Sequence, residues 1–298
     1  MLTLIALLCL PLVAQAQALA PAPASASATQ GSTMAQVGIS PPFIDIGIAE
    51  AARTQSFRFH NFTGGSKRVR VSLALWTLNA RDEIELLPST DSSIDQWVIV
   101  NPSEFTTRAD ASQVVRFSVR PALELPTGEH RFFVVLDELA DPDSGGMLQA
   151  RFQLRSAVYI QVGAATRGAE LSDLRADSGG ISFRLRATGT ANARFQGQMA
   201  LFRAAEFPGT AKTSELPGIH QPDFKPPPGA LFVINLPANP VLPGTERAVR
   251  IEFPVKVPDG AYQLDFNGKL GDAELDRAFP VSVLAKVATP NADPAPKR

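Results

Sequence analysis

Cysteine is nearly absent from this sequence. The single residue, Cys9, is one of 298 and lies inside an apolar leader, so a disulfide scaffold is excluded. An excess of either charge is also missing: 28 Lys plus Arg face 29 Asp plus Glu, leaving a net charge of -1. Such a chain has no basic surplus with which to neutralise nucleic-acid phosphates or hold an anionic membrane. No stretch keeps a 3.6-residue apolar period without a Pro, Gly or β-branched interruption, which argues against a helical bundle. What the chain has instead is 25 Pro and 18 Phe against only 4 Met, a composition of strands and turns. The length is enough for about two domains of ordinary size, each with its own core.

The first eight residues, Met1 to Leu8, are almost wholly apolar. Leu10 to Val13 extend the run, and Ala14-Gln15-Ala16-Gln17-Ala18 offers two overlapping A-x-A cleavage sites. Residues 1–18 therefore read as a secretory signal, too short for a mature membrane span. Its removal takes Cys9 with it, and a cysteine-free exported protein suits a bacterial periplasm. Residues 19–36 are uncharged Ala, Pro, Ser, Thr and Gln with little to bury, and residues 288–298 are Pro-rich. Both read as disordered.

From Val37 onward short runs of period two take over. Phe57 and Phe59 alternate with polar neighbours, as do Val69, Val71, Leu73 and Leu75, and Val115, Phe117 and Val119. Each run places apolar side chains on one face of a strand. Turn residues separate them at Thr63-Gly64-Gly65-Ser66, Asn79-Ala80-Arg81-Asp82 and Asp143-Ser144-Gly145-Gly146. Further alternating runs follow Gly163, at Ile181/Phe183/Leu185, Val249/Ile251/Phe253 and Tyr262/Leu264/Phe266. The expected fold class is all-β: two immunoglobulin-like β-sandwich domains in tandem, 37–163 and 168–287, each near the roughly 100 residues such a sandwich needs. Between Phe207 and Pro228 lies an irregular stretch holding six prolines, either a binding loop or a solvated insertion.

Chemistry is hard to find. His60, His130 and His220 share no spacing with other metal ligands. The motifs G-x-S-x-G, H-E-x-x-H and G-x-x-x-x-G-K-[ST] do not occur. Asp141-Pro142-Asp143-Ser144-Gly145 opens like a calcium loop but has no Glu at the closing position, so a hairpin turn is the better reading. No catalytic residue, metal or cofactor is expected, and the chain does not read as an enzyme.

One long segment does resemble a known family. Asn101-Pro102-Ser103-Glu104-Phe105 followed by Gln113-Val114-Val115-Arg116-Phe117, and then Leu125-Pro126-Thr127-Gly128-Glu129 running into Arg131-Phe132-Phe133-Val134-Val135-Leu136-Asp137-Glu138-Leu139, resemble the signature of the periplasmic pilus chaperones of PapD-like type. Phe59-His60-Asn61 and Leu73-Ala74-Leu75-Trp76 are similar to its upstream strands. The likeness covers 37–163 well and the remainder in outline, in the manner of the archaic branch of chaperone-usher systems.

The resemblance implies a chaperone that lends an edge strand to an incomplete pilus or fimbrial subunit and passes it to an outer-membrane usher. The lending strand falls at Ala150 to Val162, with Phe152, Leu154, Val158 and Ile160 as residues that would meet client pockets. A long core strand of the domain itself would show the same alternation. Three charges carry over: Arg116 and Glu129 as an ion pair facing the interdomain cleft, and Asp265, from Tyr262-Gln263-Leu264-Asp265-Phe266-Asn267-Gly268, as their partner in the second domain. The sequence departs from the family at the two cations that hold a client's terminal carboxylate. Their counterparts fall near Pro41 or Pro42 and near Ala157 or Val158, which leaves Arg155 as a substitute contact. An exposed lending edge also suits a self-capping dimer. The rival expectation is a secreted structural or adhesive protein of two sandwiches, with Phe207 to Pro228 as its contact loop.

Overall fold

A computed structural model describes residues 36–79, 81–140 and 151–284. The segments read as signal, as most of the leader and as tail lie outside the described residues, as do Ala150 and the Asp141–Gly145 turn.

Among the described residues the first sandwich contains ten strands: β1 (Val37–Ser40), β2 (Phe43–Gly47), β3 (Gln55–Asn61), β4 (Lys67–Leu78), β5 (Ile84–Leu87), β6 (Val98–Asn101), β7 (Glu104–Thr107), β8 (Ser112–Val119), β9 (Gly128–Glu138) and β10 (Gln153–Val162). One sheet has the order β1-β3-β8-β6. The other runs β2-β10-β9-β4-β5, with β7 also pairing β4. The alternating apolar residues meet between the sheets, where Phe57, Phe59, Val69, Val115, Phe117, Phe132, Val134 and Leu136 are all buried. Phe57 stacks on Phe117 with ring centres 5.5 Å apart. Pro41 and Pro42 sit where the chain leaves the first sheet, in β1, and enters the second, in β2. Proline lacks the N–H that a continuous central strand would use, so a pair of prolines belongs at such a corner.

The second sandwich contains eight: β11 (Ala169–Asp177), β12 (Gly180–Ala187), β13 (Ala193–Arg203), β14 (Ala230–Asn235), β15 (Pro240–Val241), β16 (Glu246–Glu252), β17 (Gly260–Leu270) and β18 (Ala273–Val283). Its sheets are β11-β12-β16 and β14-β13-β17-β18, with β15 pairing β13. Ile181, Phe183, Phe195, Met199, Leu201, Leu264 and Phe266 fill the space between them. At the start of β17 the Tyr262 hydroxyl donates to the Pro258 carbonyl at 2.9 Å. A tyrosine tied back to backbone just upstream is a feature of immunoglobulin-like sandwiches. The chain is thus an all-β protein of two immunoglobulin-like sandwiches in tandem. Among the described residues helix is confined to single turns, and no helix there is long and apolar enough to cross a membrane.

Candidate functional site

Strand β10 makes two different edges. Along its whole length it pairs antiparallel with β9, from Gln153 opposite Asp137 to Val162 opposite Gly128. On its other side β2 runs parallel to it, but only from Ala157 to Gln161. Backbone groups alternate sides along a strand. The Phe152 carbonyl accepts from the Glu138 N–H on the β9 side, while the Ala157 N–H donates to the Pro42 carbonyl on the β2 side. By that alternation Gln153 and Arg155 present their N–H and C=O groups to the edge that β2 leaves open. Among the described residues no strand pairs that edge over Gln153–Ser156. The Ser156 hydroxyl closes the gap at its lower end by donating to the Pro41 carbonyl at 2.9 Å.

The named side chains divide along the same line. Phe152 and Leu154 are half-buried on the inward face at the open end, where Phe152 stacks on Phe59 with centres 5.6 Å apart. Val158 and Ile160 differ: both are fully buried in the sandwich core, on the stretch already bonded to β9 and β2. The expectation that Val158 and Ile160 contact a client is therefore corrected, because neither their side chains nor their edge is free. Arg155 is exposed on the outward face, bonded to the Gln153 side-chain carbonyl and lying over the Phe133 ring at 5.9 Å. Pro41 and Pro42 do lie beside Ser156 and Ala157, and none of these four residues carries a charge.

The outward face of this sheet packs on the second sandwich. Trp76, Phe133, Val135 and Tyr159 form a cluster closed by Leu242, which is itself fully buried. Beside it Arg194 of β13 lies 4.0 Å from the Phe43 ring centre and 5.0 Å from that of Tyr159, and donates to the Ala238 carbonyl at 2.7 Å. Burial pushes the Tyr159 hydroxyl above its ordinary range, and the Arg194 charge works against that shift.

The charged network at this junction is not the expected trio. Arg116 lies exposed on β8, in the opposite sheet, with Ser56 and Asn101 as its cross-strand neighbours. Glu129 points outward from the other sheet, so the thickness of the sandwich, about 10 Å, separates the two. Asp265 sits about 20 Å along β17 from the Gly271 turn that reaches the junction, at the rise of an extended strand. The interdomain trio of Arg116, Glu129 and Asp265 is therefore not assembled.

Glu129 does hold an interdomain position, with other partners. Its fully buried carboxylate accepts from Arg131 at 2.8 Å, from the Asn192 backbone N–H and side-chain amide at 2.7 Å each, and from Gln161 at 3.2 Å. Asp45 lies next to it, accepting from Arg167 at 2.6 Å, from Asn192 at 2.9 Å and from Gln161 at 3.2 Å. Two carboxylates are thus bridged by two amides and neutralised by two guanidiniums, with Arg167 and Asn192 contributed from the second half of the chain. Arg167 is held in place by the β17–β18 turn, where its N–H donates to Asp272 at 2.8 Å and its carbonyl accepts from the Asp272 N–H at 2.8 Å. A Cβ on Gly271 would lie 1.9 Å from that carbonyl, and φ there is +64°, so only glycine fits. Sequence reasoning missed Asp45 and Arg167. The signal lay in Phe43-Ile44-Asp45-Ile46, an acid on the outward position of an otherwise apolar strand.

The three histidines are dispersed. His60 bonds Ser40, His130 the Pro126 carbonyl and His220 the Asn235 amide. Among the described residues no group of three or more His, Cys, Asp or Glu is placed to hold a metal.

These features define a class: two tandem immunoglobulin-like sandwiches with a partly open edge strand beside their junction. No family model and no curated protein matches the chain. Solved structures that it resembles include chaperones of fimbriae and pili. The YadV chaperone shares 12% identity, with 81% of this chain and 100% of that one covered at a TM-score of 0.42. The chaperone–tip subunit complex of the archaic Csu pili of Acinetobacter baumannii shares 13%, covering 84% and 100% at 0.39. The E. coli chaperone DraB shares 11%, covering 84% and 96% at 0.39.

Proposed function

We propose that the protein is a periplasmic chaperone of pilus or fimbrial subunits, which adds a strand to an incomplete client along the open edge of β10 and delivers it to an outer-membrane usher. The observation that carries this reading is the edge at Gln153–Ser156, where the N–H and C=O groups of Gln153 and Arg155 meet no described strand while β2 covers the rest. Unpaired edges are templates for another chain, and strand addition draws affinity from main-chain bonds and specificity from alternate side chains. Phe152 and Leu154 supply those side chains. Arg155, on the outward face two residues before Ala157, serves as the carboxylate contact. The division at 163–168, between 37–163 and 168–287, belongs to the same reading, as does a self-capping dimer when no client is present.

The test is co-expression with candidate pilus subunits, followed by capture on the tagged chaperone. Arg155→Pro removes one edge N–H while the β9-facing bonds of Leu154 and Ser156 stay intact, a place where proline is tolerated. A client carbonyl left unpaired costs about 1–3 kcal/mol, so capture should weaken by about five- to a hundredfold. Arg155→Ala keeps the N–H and separates the backbone role from the side chain's. Undiminished capture by Arg155→Pro would sink strand addition at this edge.

A further inference from the structure

The Pro-rich segment after β13 roofs a pocket. It contributes two short helical turns, Ala204–Glu206 and Thr210–Lys212, and is tied to the sheet by Gln198. That side chain donates to the Leu216 carbonyl and accepts from the Leu216 N–H, both at 2.7 Å. Between this roof and the outward face of β13, β14 and β17 lies a cavity of about 300 Å³, at the lower end of small-molecule sites.

The hollow follows from the strand register. Ala200 stands opposite Asp265 on one side and Val233 on the other, so the smallest side chain of the row marks the pocket floor. Phe202, Leu216, Pro227 and Pro228 supply apolar walls. Asp265 is the one carboxyl among the lining residues, and it is fully buried. Its Oδ2 accepts from Asn267 at 2.8 Å, whereas its Oδ1 has no hydrogen-bond partner. The Thr213 hydroxyl donates to the Thr210 carbonyl at 3.0 Å, and its nearness to the Asp265 carboxyl only partly offsets the effect of burial. A buried carboxyl oxygen without a donor is costly, and nothing in the packing of the sandwich requires an acid at this position. Its β17 neighbours Leu264 and Phe266 point into the core without it.

We propose that this pocket binds a small primary amine carried on a compact apolar group, with the ammonium donating to Asp265 Oδ1 and the apolar body lying between Phe202 and the proline roof. The site belongs wholly to the second sandwich and stands apart from strand addition. Burial holds the Asp265 carboxyl above its usual range, and an incoming ammonium supplies the compensating charge.

The probe is phenethylamine, titrated calorimetrically into the full chain, with 2-phenylethanol and 3-phenylpropionate as shape-matched neutral and anionic comparisons. Phenethylamine should bind saturably at one site and more tightly than the alcohol by about ten- to a hundredfold, the worth of a charge-assisted bond. Asp265→Asn should remove that preference while leaving alcohol binding within about twofold, and Ala200→Leu should abolish binding of both by filling the floor. Since the leucine could disturb the sheet, its unfolding midpoint is compared with the parent's, and Arg186→Ala, an exposed change on β12 outside the pocket, serves as a folded comparison that keeps the amine preference. Equal affinity for amine and alcohol, an unchanged preference in Asp265→Asn, or no saturable binding of phenethylamine up to millimolar concentration would each overturn the proposal.

Discussion

Replacing Glu129 tests how the two sandwiches are held together. Its carboxylate is fully buried and joins β9 to the Asn192 backbone and side chain across the junction, with Arg131 as its counter-charge. Glu129→Ala removes the acceptor for four N–H groups at once. Arg131 is then left mostly buried without its partner, and its Nε already lacks one. Breaking a buried pair by deleting one member costs about 3–5 kcal/mol, a large part of a typical domain's net stability. Glu129→Gln keeps one acceptor oxygen but loses the charge, and the loss should be about 1–2 kcal/mol. Because the bonds to Asn192 cross the junction, the Ala variant should also broaden the distribution of interdomain distances. Urea unfolding measures the first effect and small-angle scattering the second. A Glu129→Ala protein with unchanged midpoint and unchanged scattering would refute the assignment of this carboxylate as the junction's anchor.

Other perturbations have equally direct outcomes. Leu242→Ala empties the space against Trp76 and Tyr159 and should cost about 2–5 kcal/mol in urea unfolding, as fully buried leucines do. Arg194→Ala removes the cation between Phe43 and Tyr159 and should cost about 2 kcal/mol. Arg194→Lys should restore only part, since the planar fork is lost, and in the Ala variant the Tyr159 hydroxyl should titrate still higher by ultraviolet difference spectra. Burial raises the Asp265 carboxyl above its ordinary 3.8, so the folded state keeps that proton to higher pH than the unfolded chain. Stability from this group is greatest below about pH 4 and falls as pH rises through the raised value. Asp265→Asn should therefore gain stability relative to the parent between pH 4 and pH 7, seen as a widening difference in unfolding midpoint; a constant difference would contradict the burial of a charged form.

The strands were legible because both sandwiches bury one face of nearly every strand, and period-two alternation records that directly. Phe57/Phe59, Val115/Phe117/Val119 and Leu264/Phe266 all point inward as their spacing predicts. The extent of the open edge of β10 was not legible. Alternation over 152–162 reports which side chains share a face, whereas availability depends on where β2 ends against β10, a contact between residues more than a hundred positions apart. The charged trio failed for a related reason: Arg116 and Glu129 are close in sequence but belong to opposite sheets, and the residues that surround Glu129 come from the middle of β2 (Asp45), the link before β11 (Arg167) and the residue before β13 (Asn192). For Phe207 to Pro228, the prolines announced an irregular segment, but its place as a roof depends on contacts with β13 and β14, from Gln198 to Leu216 and from Asn235 to His220.

The corner at Pro41–Pro42 has a consequence for how a client would be measured out. β2 begins its pairing at Phe43, opposite Ala157, so it works as an end stop on the open edge. A guest strand laid parallel to β10 runs out of track where Pro42 already accepts the Ala157 N–H. A guest of any sequence would therefore halt at the same rung, and because side chains alternate with a strict period of two, that halt would decide which of them face inward. To any such guest the fold would offer a ruler with a fixed zero mark made of backbone.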